Sequence, residues 1–166
     1  LNVGNDSVNS IFASRTFLIV EDNPAMRGLM RQLFHALGAS GIFVAIDGEI
    51  AKSILLKEQV DVVVTDYRMK PISGIELAQW IRQDPASPNP DMPIVMASAF
   101  SEADQVVAAK NAGVDGFLLK PLNLKQLEHR LVAVLNAPRL PVSRGATRQE
   151  ASEPTPVELD IEEFSI

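Results

Sequence analysis

The sequence predicts an α/β fold, a doubly wound five-stranded parallel sheet of (βα)5 type. Three observations predict it. Between residues 16 and 136, short apolar runs alternate five times with segments whose apolar residues recur at helical spacing. Several runs, Val62-Val63-Val64 above all, are almost continuously apolar, as strands covered on both faces must be. Right-handed crossovers then leave a doubly wound layer as the natural arrangement.

The elements follow in order. Thr16 to Val20 is a compact apolar run ending in acids. Pro24 to Leu37 places Met26, Leu29, Met30, Leu33, Phe34 and Leu37 on one helical face, with Gly38 as the stop. Gly41 to Ile46 reads as the second strand and Glu49 to Glu58 as the second helix. Val60 to Thr65 is the third strand, and Gly74 to Gln83 the third helix. Pro85 to Pro90 carries three prolines and reads as a punctuated loop. Met92 to Ala97 is the fourth strand, Glu102 to Asn111 the fourth helix, and Gly113 its terminator. Gly116 to Leu119 is the fifth strand, and Asn123 caps a last helix that reaches about Leu135.

Composition bounds the chemistry. The 166 residues contain no cysteine, which excludes thiol catalysis, cysteine zinc sites and disulfides. A formal charge of −6 argues against a general nucleic-acid binder, which carries a basic face. No apolar run approaches the roughly 20 residues of a membrane span, and no signal-peptide pattern opens the chain. Residues 1–15 are rich in Asn and Ser and read as a flexible N-terminal arm; residues 16–136 form the core domain. Residues 137–166 read as a polar, acidic C-terminal tail expected to be disordered. Its charge is segregated: Arg139, Arg144 and Arg148 precede Glu150, Glu153, Glu158, Asp160, Glu162 and Glu163. A solvated tail is the plain reading, and a short docking motif over Val157 to Ile166 is the sharper one.

In a doubly wound sheet, function gathers at the carboxyl ends of the strands. There the first strand runs into Glu21-Asp22, the third into Asp66, the fourth into Ser98 and the fifth into Lys120-Pro121. Each has an ordinary explanation alone. Acids favour helix starts, Asp22-Asn23-Pro24 is a good cap and first turn, and Ser98 before a helix is a common cap. Their shared edge changes the odds. Three converging carboxylates repel unless a cation sits among them, and hard oxygen ligands of this kind suit Mg²⁺. Lys120 and Ser98 add a positive charge and a hydroxyl, completing a pocket for a dianion. Such a pocket suits phosphoryl transfer, with a carboxylate as nucleophile forming an acyl phosphate.

The ordered set Phe17-Leu18-Ile19-Val20-Glu21-Asp22-Asn23, Val62-Val63-Val64-Thr65-Asp66-Tyr67-Arg68-Met69, Gly74, Ile94-Val95-Met96-Ala97-Ser98-Ala99 and Phe117-Leu118-Leu119-Lys120-Pro121 resembles the response-regulator receiver family. These are the CheY-like domains of bacterial two-component signalling, and the resemblance spans about residues 16–136. It implies the flavodoxin-like, CheY-like version of the fold. By the resemblance, Asp66 is the phosphoacceptor, served by a histidine kinase or histidine phosphotransfer protein. Glu21, Asp22 and Asp66, with the backbone carbonyl of Arg68, would hold Mg²⁺. Lys120 and Ser98 would contact the phosphoryl group, Phe117 would be the switch aromatic, and Lys120–Pro121 would be a cis peptide. Phosphorylation would then alter the face formed by the fourth helix, fifth strand and fifth helix toward a downstream protein effector. Cytoplasmic location follows from the same resemblance, as does a monomer or a weak phosphorylation-linked dimer, with no direct nucleic-acid or membrane contact. Three departures stand out: Lys70 where many members have proline, Phe117 without a hydroxyl, and the long loop from Pro85 to Pro90.

Other readings compete. A Mg²⁺-dependent phosphohydrolase using Asp66 would carry a second Asp two positions later as acid/base, and Arg68 stands there instead. No turnover of external substrates is therefore expected. A nucleotide or flavin module would need glycine and backbone donors where Glu21 to Pro24 places negative charge. A single-domain regulator is the expectation; a receiver piece of a longer regulator or hybrid kinase, or a module that acts without phosphate, is the alternative.

Overall fold

The computed structural model describes residues 11–100 and 102–139. Its five strands are β1 (Thr16–Val20), β2 (Gly41–Ala45), β3 (Val62–Asp66), β4 (Ile94–Ser98) and β5 (Gly116–Leu119). Its helices are α1 (Pro24–Ala36), α2 (Gly48–Lys57), α3 (Gly74–Gln83), α4 (Ala103–Asn111) and α5 (Leu124–Asn136). All four strand pairings are parallel, in the order β2-β1-β3-β4-β5. The chain steps outward from β1 to β2 and then crosses back to β3, so strand order reverses between β1 and β3. This is where a doubly wound sheet opens a crevice.

Alternation along the strands builds two cores. On one face Phe17, Ile19, Val62, Val64, Val95, Ala97 and Leu118 pack against Met30 and Phe34 of α1 and Leu127, Leu131 and Val134 of α5. On the other, Leu18, Val63, Ile94, Met96 and Phe117 meet Ala51 and Leu55 of α2, Leu77, Ala78 and Ile81 of α3, and Ala109 of α4. Burying one such Leu, Ile or Phe contributes about 1.5–3 kcal/mol, so both sides are needed to hold the layer.

Asn23 and Asn123 cap their helices as the sequence predicts, and Asp47 and Ser73 add two caps it did not single out; each accepts a backbone N–H of the following first turn. Ser98 caps no helix, since α4 begins after Glu102. Gly38 ends α1 with φ 87°, a conformation that glycine adopts without a side-chain clash.

Several boundaries differ from the sequence reading. β3 and β4 slide toward their carboxyl ends and take in Asp66 and Ser98, because the ladder continues through the pairs Asp66↔Ala97 and Ser98↔Leu119. β3 begins at Val62 rather than Val60: beside the start of β1 the Asp61 carboxylate, not a backbone carbonyl, accepts the Thr16 amide at 2.7 Å.

The arm expected over residues 1–15 does not extend to its last residues. Residues 11–13 are helical, and Phe12 is fully buried with its ring centroid 6.3 Å from that of Phe17. Ser40 adds a bond to the Ala13 carbonyl at 3.0 Å. Apolar burial outweighs the Asn/Ser character of that segment; residues 1–10 lie outside the described residues. So do residues 140–166, including the possible docking motif from Val157 to Ile166. The start of that tail turns back onto the domain, where Arg139 Nη2 lies 3.2 Å from Asp115 Oδ2.

Candidate functional site

The site is assembled at the carboxyl edge of β1, β3, β4 and β5. Glu21 and Asp22 follow β1 in a turn fixed from several directions. The Glu21 amide donates to the Ala45 carbonyl at 3.1 Å, and Arg27 Nη1 donates to the Glu21 and Asp22 carbonyls at 2.9 and 3.1 Å. The Asn23 amide donates to Glu21 Oε1 at 3.1 Å, aiming the carboxylate inward. Glu21 is thereby 1% exposed, whereas Asp22 is exposed.

Asp66 ends β3 and is 7% exposed. Its backbone is crowded from behind: a Cβ on Gly74 would sit 2.1 Å from the Asp66 carbonyl oxygen. Only glycine allows α3 to begin there. The Gly74 amide donates to the Tyr67 carbonyl at 3.0 Å, closing the loop after β3 onto the start of α3.

Lys120 joins the acids. Its Nζ lies 2.7 Å from Glu21 Oε2 and 2.8 Å from Asp66 Oδ1. Burial alone would lower the pKa of this ammonium; its hydrogen bonds to Asp66 and Glu21, and their charges, outweigh that and hold it above the ordinary lysine value. Glu21 is pushed upward, chiefly by burial and further by the charge of Asp66, against the lowering by its bonds to Lys120 and Asn23.

Glu21, Asp22 and Asp66 each offer an oxygen within 4.8 Å of the others, so the three can hold a metal ion. The charge count supports it, since one ammonium faces three carboxylates. A hard divalent cation satisfies such a donor set.

The remaining expected residues are placed less uniformly. The Lys120 amide donates to the Ser98 carbonyl at 2.8 Å, so their backbones share the site's edge. The Ser98 hydroxyl, however, turns to Gln105 Oε1 at 3.4 Å and accepts the Phe100 amide at 3.2 Å. Phe117 is 4% exposed and lies in the apolar cluster that holds Ala109, Ala112 and the half-buried Val106. Its ring is therefore already inside. Arg68 extends its guanidinium over Phe100, 4.9 Å from the ring centroid, which links the loops after β3 and β4. Lys120–Pro121 is cis, and Lys70–Pro71, at the position where the sequence departs from the common pattern, is cis as well.

Sequence reasoning gave no part to Gln105 or Arg27 and quoted Gly74 without a reason. Gly74 had a signal, a glycine opening a helix soon after an apolar strand. A glutamine and an arginine at helical positions look like solvated surface until their partners are known.

A family description of the response regulator receiver domain matches residues 17–132. The chain belongs to that family. Among curated relatives, this receiver is 35% identical over 114 residues to the chemotaxis protein CheY-3 of Vibrio cholerae, covering 69% of this chain and 86% of that protein. It is 32% identical over 114 residues to the chemotaxis protein CheY of Pseudomonas aeruginosa, covering 69% of this chain and 90% of that one. Among solved structures, Vibrio cholerae CheY4 matches with a TM-score of 0.66 and 25% identity, over 72% of this chain and 98% of the other. The receiver domain of the Arabidopsis thaliana histidine kinase CKI1, solved with Mg²⁺ and BeF3⁻, matches in fold with a TM-score of 0.69 at 21% identity, over 79% and 96% of the two chains. Among the described residues of this receiver, no helix is long and apolar enough to cross a membrane.

Proposed function

We propose that this receiver accepts a phosphoryl group on Asp66 from a histidine kinase or histidine phosphotransfer protein and signals through protein contact. The observation that carries the reading is the Lys120 ammonium bridging Asp66 and Glu21 at 2.8 and 2.7 Å inside a cluster of carboxylates able to hold a cation. That arrangement supplies fixed positive charge where a dianion would form, in a partly water-excluded site.

In the transfer, an Asp66 carboxylate oxygen forms the new P–O bond as the P–N bond of a phosphohistidine breaks. The electron pair leaves on the imidazole nitrogen, which then takes a proton. Glu21, Asp22 and Asp66, with the Arg68 backbone carbonyl, would hold Mg²⁺, which when bound neutralises phosphoryl oxygens. Lys120 holds Asp66 in place and would move to a phosphoryl oxygen; Ser98 would donate its hydroxyl proton to another. The chain assists its own phosphorylation and dephosphorylation and turns over no external substrate. The readout falls on the face made by α4, β5 and α5, met by a downstream protein effector in the cytoplasm. The receiver acts as a monomer or as a dimer linked to phosphorylation.

Incubation with acetyl phosphate and Mg²⁺, followed by intact mass measurement, tests this. The expected result is a gain of one phosphoryl group, absent in Asp66→Asn and absent when the metal is chelated. An unmodified mass at saturating donor, or a gain retained by Asp66→Asn, would refute the assignment.

A further inference from the structure

We propose that Gln105 is the positioning residue through which the Ser98 hydroxyl holds the first turn of α4, and that phosphorylation releases α4 by drawing that hydroxyl's hydrogen bond to the phosphoryl group. The inference rests on the receiver reading above and deepens it by naming the side chain that carries the switch.

Four observations converge. Gln105 is a polar side chain only 7% exposed, and besides Ala109 it is the only buried residue of α4. Its amide end spans two elements: Oε1 accepts from Ser98 Oγ at 3.4 Å, and Nε2 donates to Glu102 Oε2 at 3.2 Å. Among the described residues, α4 is the one helix of the five without a side-chain cap, since Glu102 stands at the cap position and makes no capping bond. Phe117, the residue expected to move inward, is already buried among the α4 side chains.

Proton arithmetic supplies the mechanism. A serine hydroxyl has one proton to donate. At present it goes to Gln105, while the oxygen accepts the Phe100 amide. A separation of 3.4 Å is long for such a bond, so it is readily exchanged. A phosphoryl group on Asp66 offers three strong acceptor oxygens at the same sheet edge. Once Ser98 donates there, Gln105 Oε1 is a buried acceptor without a donor, a state that favours rearrangement of the turn carrying it. Among the described residues, no side-chain cap holds that turn. Glu102 moves with it because Gln105 Nε2 is bound to its carboxylate.

Hydrogen–deuterium exchange on the full chain, with and without beryllofluoride and Mg²⁺, tests the proposal. The reporters are the Gln105 and Val106 amides, which donate to the Glu102 carbonyl at 2.9 and 3.2 Å. In the natural chain, loading is expected to raise their exchange roughly tenfold. Gln105→Met, similar in size but without the acceptor, is expected to show that raised exchange before loading and less than about a twofold further rise. Gln105→Glu keeps an acceptor oxygen and is expected to restore the dependence on loading, a rescue that a packing role alone would not produce. Phe117→Leu is expected to leave the loading response in place. A natural-size response in Gln105→Met, or a response lost in Phe117→Leu alone, overturns the proposal. If Gln105→Met does not fold, Ser98→Ala tests the bond from its other end: it must raise basal exchange in α4, and an unchanged helix overturns the proposal. Intact mass after acetyl phosphate treatment separates the two readings. Phosphorylation on Asp66 with an unresponsive α4 refutes the role of Gln105 alone; no phosphorylation refutes both.

Discussion

The starts of α3 and α4 lie on two neighbouring strands of one site, and they are built to opposite standards. α3 begins with a reciprocal cap: the Ser73 amide donates to Glu76 Oε2 at 2.8 Å, and the Glu76 amide donates to Ser73 Oγ at 3.2 Å. Hydrogen bonds donated to its carboxylate by the Ser73 amide, chiefly, and by the Ser73 hydroxyl hold the exposed Glu76 carboxyl below its ordinary pKa. Gly74 then brings the helix against the backbone of Asp66 itself. Among the described residues α4 has neither device, and the side-chain bond tying its first turn to β4 is the 3.4 Å contact of Gln105 with Ser98. Asp66 is therefore set in a stiff mount, while the neighbouring helix start is held more loosely. A receiver with two stiff starts would have little to move, and one with two loose starts would not hold Asp66 still.

The contrast can be broken most severely at Gly74. Gly74→Ala is expected to destabilise the fold by about 3 kcal/mol in urea titrations, because the added methyl meets a backbone oxygen that has no room to withdraw. Phosphorylation of Asp66 should slow in the same variant; a fold as stable as the natural one would show that α3 is not seated against β3. Ser73→Ala removes half of the reciprocal cap and is expected to cost about 1 kcal/mol, with faster amide exchange confined to the first turn of α3. Equal exchange at α3 in that variant would remove the stiff half of the comparison. Glu102→Ser is the smallest change: it supplies a capping hydroxyl to α4 but removes the carboxylate bonded to Gln105 Nε2, so stability is expected to stay within about 0.5 kcal/mol while the response of the helix to loading is blunted. An undiminished response would mean that the bare cap plays no part in the switch.

Most of this architecture was legible in the sequence, for a physical reason. Strands such as Val62 to Thr65, buried on both faces, leave an uninterrupted apolar signature, and caps such as Asn23 and Asn123 are local chemistry. The cluster of Glu21, Asp22, Asp66 and Lys120 was legible because topology alone brings strand ends together. What escaped depends on partners distant in sequence. Asp66 and Ser98 looked like residues after their strands because the ladder that includes them is set by Ala97 and Leu119. Gln105 looked like surface because its bond to Ser98 exists only once β4 and α4 are placed. Phe12 was hidden in a polar stretch because it packs into the cluster of Phe17 and Phe34, whose rings lie tilted to each other with centroids 4.9 Å apart.

That last residue bears on how the domain can be cut. Excising the chain at β1 would leave a phenyl-sized hollow beneath the sheet and forfeit roughly 3 kcal/mol of packing. The hollow would be lined by Phe17 and neighbouring apolar side chains, a greasy recess that invites self-association. Fragments meant to behave as the intact receiver should keep Ile11 and Phe12 at their leading end.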